Sequence, residues 1–387
     1  MRRKTQYTVL LITTGLGVGG LETYLVRLVK VMDRDVFRPI VVYNKADSET
    51  YRNAIESMGI EVLHIAIGYS QIQFVRKIME VIKSNAVDIV CDFRGDFAGP
   101  TLLVAKLLGI CSRVAMYRSS RQGFRESFAK NAYAFVLHKI VEKTATRIIG
   151  NTEKVLDAFY PNRGTDARFA VVYNGVDLSM FTKAIDKAAI RASLGIGLVR
   201  IVIGHLGRLH KSKNHDVIIE VFRRLHKRLP ETHLLLVGDG SLSRRINDRI
   251  KTLGLSNCVT LAGQRLDVPE MLGAMDLFIY PSIYEGMPNA LVEAMASGLA
   301  FVASNIQEIS EILPAALHTQ LFGVNDVAAL EDALYQLCTD KKRRDMVGAA
   351  AKEWTFKNYS IEHSAELLIK HWLAPFDTRS NCKTKFL

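Results

Sequence analysis

Short apolar runs rich in β-branched residues alternate with longer helical patterns along almost the whole chain, and this alternation limits the fold more than any other feature. In the first half the runs fall at 7–12, 39–43, 61–65, 88–91, 113–117, 147–150 and 169–173. In the second half they fall at 200–204, 234–237, 258–261, 277–280, 300–303 and 318–321. Continuous apolar strands separated by helices indicate parallel sheets covered on both faces. Thirteen such runs in 387 residues are too many for one ordinary open sheet and one core. The expected class is α/β, with two doubly wound Rossmann-like domains facing across a cleft. The turn-type cluster Asn174-Gly175-Val176-Asp177 marks the hinge and divides the chain into domains 1–175 and 176–359. The stretch 352–376 reads as helical, and the polar, basic tail 377–387 reads as frayed.

Composition narrows the function classes. Apolar residues are 49% and charged residues 23% of the chain, which excludes wholesale disorder. No uncharged apolar run reaches the roughly 20 residues of a spanning helix. Met1-Arg2-Arg3-Lys4 ahead of the apolar run at 7–12 superficially suggests a signal peptide. That apolar core is short and runs into Thr13-Thr14-Gly15 without a small-residue cleavage site, so a first strand explains it better. Five scattered cysteines form neither a disulfide framework nor a zinc spacing, which fits a reducing cytosol. His205, His210 and His215 recur every five residues, a spacing that places no two on one face of a helix or strand. No metal site is expected.

The net charge is +12, and half of it lies between Arg113 and Arg147, where eight Lys/Arg face only Glu126 and Glu142. Phe124, Phe128, Phe135, Val136, Leu137, Ile140 and Val141 are interleaved with these cations. Such a stretch is either a solvated helix face packed on its apolar side or a contact to an anionic membrane surface. Nucleic acid is not expected, because no recognition motif accompanies the charge.

Gly15-Leu16-Gly17-Val18-Gly19-Gly20 follows the first strand and opens a helix. The spacing satisfies a dinucleotide fingerprint, in which glycines let backbone N–H groups approach phosphate. The second strand nevertheless ends Val42-Tyr43-Asn44, without the acid that would hold a ribose. In the second half Gly207-Arg208-Leu209 is followed by Lys213, and Val237 runs into Gly238-Asp239-Gly240. Arg208 and Lys213 beyond one strand end could meet a diphosphate, the first as a planar fork and the second as a point charge. Glu285 then sits in a loop before a helix that carries Glu293. A carboxylate such as Glu293 can accept from both hydroxyls of a ribose, and N–H groups at the helix start can face phosphate.

Together, Gly207-Arg208-Leu209 with Lys213, Val237-Gly238-Asp239-Gly240, and Glu285 separated by seven residues from Glu293 resemble the family-4 retaining glycosyltransferases. Val172 through Asp177 with Phe181, Gly19-Gly20-Leu21-Glu22, and Gly298-Leu299 ahead of Val302-Ala303-Ser304 extend the resemblance over nearly the whole chain. The resemblance implies a GT-B type fold. A donor-binding second domain would face an acceptor-binding first domain, and a final helix, 360–387, would return to the first domain. It also implies a metal-independent, retaining transfer of a hexosyl or N-acetylhexosaminyl group with no cofactor. A nucleotide-sugar, such as a UDP- or GDP-sugar, would be the donor, and a glycan or lipid-linked molecule the acceptor.

By that resemblance Arg208 and Lys213 bind the diphosphate, Glu285 the transferred sugar and Glu293 the ribose. Gly17, Gly19, Gly20, Gly207, Gly238, Asp239, Gly240, Gly286, Met287, Asn289 and Ala290 would line the donor, whereas Pro288 has no N–H to offer. Arg94, Arg118 and Asn174 are assigned to the acceptor or the sugar. Two positions depart from the family pattern. Met116-Tyr117-Arg118-Ser119-Ser120 stands where a histidine is common, and Asn305-Ile306-Gln307-Glu308 stands where a glycine pair is common. The expected role is surface polysaccharide synthesis, such as capsule or lipopolysaccharide. The expected location is the cytoplasm, peripheral on the inner face of the plasma membrane where the basic segment meets lipid. Two alternatives remain at this level: a nicotinamide-dependent oxidoreductase using Gly15 to Gly20, and a non-catalytic sugar-nucleotide or glycan-binding protein.

Overall fold

The computed structural model describes residues 6–45, 50–67, 71–120, 128–197 and 201–377. The chain divides into two compact units, Met1–Gly175 with Ile361–Leu387, and Val176–Ser360. In the first unit seven strands form one sheet: β1 (Tyr7–Thr13), β2 (Phe37–Tyr43), β3 (Glu61–His64), β4 (Ile89–Asp92), β5 (Ser112–Tyr117), β6 (Arg147–Gly150) and β7 (Phe169–Val171). Their order is β3-β2-β1-β4-β5-β6-β7, and every pairing is parallel. One face packs on the helices Gly20–Val31 and Ile361–Asp377, with Tyr24, Leu28, Phe37 and Trp372 in the core. The other face packs on Gln71–Ser84, Gly99–Leu107 and Phe128–Thr144, around Ile78, Leu102 and Val141. Burial on both faces explains why these strands read as unbroken apolar runs.

The second unit holds β8 (Ile201–Leu206), β9 (Thr232–Val237), β10 (Val259–Leu261), β11 (Leu277–Tyr280), β12 (Ala300–Ser304) and β13 (Leu321–Phe322). Their order is β10-β9-β8-β11-β12-β13, again all parallel. Both sheets are doubly wound, with the order reversing between β1 and β4 in the first and between β8 and β11 in the second. Ligands of such sheets bind beyond the carboxyl ends of the strands at that reversal.

Two expectations are corrected in detail. The run at 318–321 is largely the 3-10 helix Ala315–Gln320, which starts after Pro314, and the strand begins only at Leu321. The helical stretch 352–376 is two helices, Lys341–Asn358 and Ile361–Asp377. They separate where the Tyr359 carbonyl accepts from the Val176 N–H at 2.8 Å and the Tyr359 hydroxyl donates to the Ile312 carbonyl at 2.7 Å. Cys91, Cys258 and Cys338 are free and buried. Residues 1–4, Arg121, Phe124, Arg125, Glu126, Arg200 and the tail from 378 onward lie outside the described residues.

The helix Glu153–Phe159 begins at Thr152, a buried N-cap whose Oγ1 accepts from the Val155 N–H at 3.2 Å. Thr152→Ala removes that acceptor and is expected to destabilise the first unit by about 1 kcal/mol. Thr152→Ser, which keeps the hydroxyl, should restore most of it in a chemical denaturation series.

Candidate active site

The chain reaches the end of the second sheet's central strand at Leu206 and turns through Gly207. Gly207 N–H donates to the Val237 carbonyl at 3.0 Å, and Leu209 N–H donates to the Asp239 carbonyl at 3.0 Å, lacing together the loops after β8 and β9. This contact explains two glycines. Gly238 has φ +137°, and a Cβ there would lie 2.1 Å from the Gly207 carbonyl oxygen. A Cβ at Gly240 would lie 2.6 Å from the Leu209 carbonyl oxygen. The Asp239 carboxylate is engaged in its own turn, accepting from Gly240 N–H at 2.7 Å and from the Ser243 hydroxyl. These bonds, Ser243's foremost, hold it below the usual carboxylate range.

The following turn presents Lys213. Within the 3-10 turn Lys211–Lys213, His210 Nδ1 accepts from the Ser212 N–H, and Asn214 adopts a left-handed φ of 56° before the helix His215–Arg228. Ile283 N–H donates to the Ser212 carbonyl at 2.8 Å, tying this turn to the loop after β11. Lys213 Nζ donates to Glu285 Oε1 at 2.5 Å and to Tyr280 Oη at 2.6 Å, and Tyr280 Oη donates to Glu285 Oε1 at 2.8 Å. The Lys213 and Glu285 side chains retain only 14% and 10% exposure, enough burial for their attraction to exceed that of a surface pair. Lys213 and Glu285 are thus brought together from 72 residues apart, directly over the β8–β11 reversal.

Glu293 is buried on the helix Asn289–Ala296. The start of that helix is less open than expected. Asn289 N–H donates to the Met287 carbonyl and Leu291 N–H to the Pro288 carbonyl. Gly286 and Met287 form the loop between Glu285 and the helix. Arg208 is exposed and takes no part in the Lys213 cluster.

Tyr280 packs beside this cluster without having been singled out in the sequence, and His205 and His215, considered there only as metal ligands, pack behind it. Tyr280 is fully buried, and burial followed by the Glu285 charge raises its phenol well above the ordinary range. Its ring stacks on His205 (centroids 5.7 Å, 28°), and His215 meets His205 edge-on at 5.0 Å. His205 Nδ1 donates to the Ile279 carbonyl at 2.9 Å, so its Nε2 carries the lone pair. Burial first, then His215, holds His205 well below the usual imidazole value, while burial and Lys213 lower His215 to about 4. A strand-terminal Tyr that follows Leu277, Phe278 and Ile279 reads as core, and only its place before Pro281 marks it as a strand end.

In the first unit Gly17, Gly19 and Gly20 lead from β1 into the helix Gly20–Val31, whose N-cap is Gly19. Arg118 and Asn174 meet: Arg118 Nη1 donates to Asn174 Oδ1, and the guanidinium lies 4.2 Å over the Tyr24 ring and 5.1 Å over the Phe93 ring. Arg94 is drawn instead into a buried bidentate pair with Asp92, at 2.6 and 2.9 Å, with Thr101 Oγ1 at 3.0 Å. Those bonds place its guanidinium in the fold rather than toward a ligand. Among the described residues no group of three or more His, Cys, Asp or Glu is arranged to hold a metal ion.

Two family models match the chain, Glycosyltransferase Family 4 over residues 18–180 and Glycosyl transferases group 1 over residues 186–354. The chain belongs to these glycosyltransferases. It is 29% identical to EpsF of Bacillus subtilis (strain 168), itself named only as a glycosyltransferase, over 81% of this chain and 82% of that one. It is 24% identical to LpsB of Rhizobium meliloti (strain 1021), a lipopolysaccharide core biosynthesis mannosyltransferase, over 70% and 74%. Anabaena HepE, crystallised with UDP and glucose, superposes with a TM-score of 0.81 at 20% identity, covering 94% of this chain and 98% of that one. That likeness establishes the GT-B fold.

Proposed function

We propose that this glycosyltransferase moves a hexosyl or N-acetylhexosaminyl group from a nucleotide-sugar to a glycan or lipid-linked acceptor, with retention and without a metal, in surface polysaccharide synthesis. The observation that carries this reading is the Lys213–Tyr280–Glu285 cluster beyond the strand ends of β8 and β11, where open α/β sheets bind ligands. In this assignment the second unit holds the donor and the first the acceptor. Lys213, with Arg208 from its exposed loop, meets the diphosphate. Glu285 meets the transferred sugar, Glu293 the ribose, and the Gly207, Gly238 and Gly240 turns let the nucleotide lie against backbone. Arg118 and Asn174 face the acceptor side.

The chemistry follows from charge. Cleaving the anomeric bond leaves an oxocarbenium-like sugar and concentrates negative charge on the departing diphosphate. A fixed cation aimed at that charge stabilises the transition state more than the ground state. The test is thermal shift in EDTA against UDP, GDP, ADP, CMP and NAD. One nucleoside diphosphate at 100 times its Kd should add ~2.7 kcal/mol, whereas stabilisation by NAD alone would move the reading to an oxidoreductase.

The acceptor is proposed to be met at an anionic membrane face, with the enzyme peripheral on the cytoplasmic side. Two packed helices of the first unit, joined by Lys106 Nζ donating to the Lys143 carbonyl at 3.1 Å, both expose apolar side chains. Leu107 is 74% exposed on one, and Phe135 is 61% and Val136 54% exposed on the other. Lys106, Lys139 and Lys143 lie on the same two helices. No helix among the described residues is long and apolar enough to cross a membrane. Sedimentation with phosphatidylglycerol vesicles but not phosphatidylcholine vesicles is expected, weakened in Leu107→Ser/Phe135→Ser. Equal recovery with both lipids contradicts the membrane assignment.

A further inference from the structure

We propose that Tyr280 is a positioning residue for sugar transfer, holding Glu285 in place when the donor diphosphate draws Lys213 away, with His205 and His215 as the backing that fixes its ring. The inference rests on the donor-site reading above. The Tyr280 hydroxyl stands between the two charges. It accepts from Lys213 at 2.6 Å and donates to Glu285 at 2.8 Å, which one proton and two lone pairs allow at the same time. A diphosphate competes with Glu285 for the same ammonium group, because it offers more negative charge on several acceptor oxygens. As Lys213 turns to it, the bond from Tyr280 keeps the carboxylate aimed, and the phenol stays protonated throughout because burial and Glu285 oppose its ionisation.

The ring has little freedom to follow Lys213. Tyr280 is 0% exposed and is stacked on both His205 and Phe278, the latter at 5.8 Å and 21°. Behind it His215 is packed edge-on against His205. Neutral imidazoles suit this place: Lys213 faces the pair from its turn, and His210 and Asp216 are the other titratable groups whose charges bear on His215. A charged ring there would repel Lys213.

Tyr280→Phe removes one oxygen and keeps the stack. With the nucleoside diphosphate that stabilises the wild type, its affinity should be largely kept, while kcat falls about tenfold or more with donor KM little changed. His205→Ala, which opens the backing, should lower kcat in the same way, with donor affinity retained. Lys213→Ala in the same assays tests the donor site itself. If Lys213→Ala loses nucleoside diphosphate binding but Tyr280→Phe keeps wild-type kcat, the positioning role is overturned while the donor site stands. If Lys213→Ala still binds the nucleotide, or no nucleoside diphosphate binds the wild type, the donor-site reading fails and this role with it. A fall in melting temperature in His205→Ala without a change in kcat overturns the backing role.

Discussion

Lys213→Ala is expected to lower turnover by ~10²–10³-fold, the range seen when one preorganised group that stabilises transition-state charge is removed. It should also abolish stabilisation by the nucleoside diphosphate. The magnitude follows from position. Lys213 is largely buried beyond the ends of β8 and β11, and Tyr280 and Glu285 already hold its ammonium group. The turn from Glu285 toward the diphosphate is complete once the donor is bound, so little reorganisation remains when charge builds on the leaving group. The substitution also strips Glu285 of its cation, so melting without ligand is measured alongside kcat. Lys213→Arg retains the charge but replaces a compact ammonium by a planar fork. It should keep the fold and recover only part of the turnover. Full activity in Lys213→Ala, with the fold intact, would remove this residue from the chemistry.

The second large effect is on stability in acid. The folded chain keeps His205 and His215 neutral, and His215 is lowered from 6.5 to about 4. Below pH 6.5 the unfolded chain protonates these rings and the folded chain does not, so the unfolded state binds more protons. Stability is therefore complete above about pH 6.5 and falls as the pH drops toward 4. His215 alone accounts for about 3 kcal/mol of that loss. Carboxylates held low by arginine, such as Glu220 at about 2, also lose stabilisation on acidification, but mostly further down the scale. His215→Phe keeps a flat ring against His205 and removes the group that titrates. Denaturation midpoints of wild type and variant should converge or cross as the pH falls from 7 to 4. Parallel profiles would mean that the histidine does not charge on unfolding.

Much of the architecture was legible because buried parallel strands leave a strong local signal. The two sheets use the apolar runs with shifts of a few residues at their ends, as where 88–91 becomes Ile89–Asp92. The glycine turns were also legible, since Gly238 with its positive φ admits no side chain against Gly207. Lys213 and Glu285 were each recognisable from motif spacing. Their direct bond was not, because it depends on the Ser212–Ile283 contact between two loops.

What stayed hidden was set by tertiary contact rather than by pattern. Tyr280 looks like the last core residue of an apolar strand until the packing turns its hydroxyl toward two charges. His205 and His215 share no face of one element, yet a strand and the start of a helix place their rings 5.0 Å apart. Arg94 looked available for a ligand because nothing local in the sequence marks Asp92, two residues earlier, as a buried carboxylate that would pair with it. The break at Tyr359 has no proline or glycine to announce it. It exists because the Tyr359 carbonyl bonds Val176 and its hydroxyl reaches Ile312.

Retaining, metal-independent transfer is tested most directly by following the sugar released from the stabilising nucleotide-sugar by proton NMR, in EDTA, before the anomers equilibrate. Nucleoside diphosphate release is expected without added metal, with the first-formed product in the same anomeric configuration as the donor. First formation of the opposite anomer, or tight donor binding with neither transfer nor hydrolysis, would contradict it.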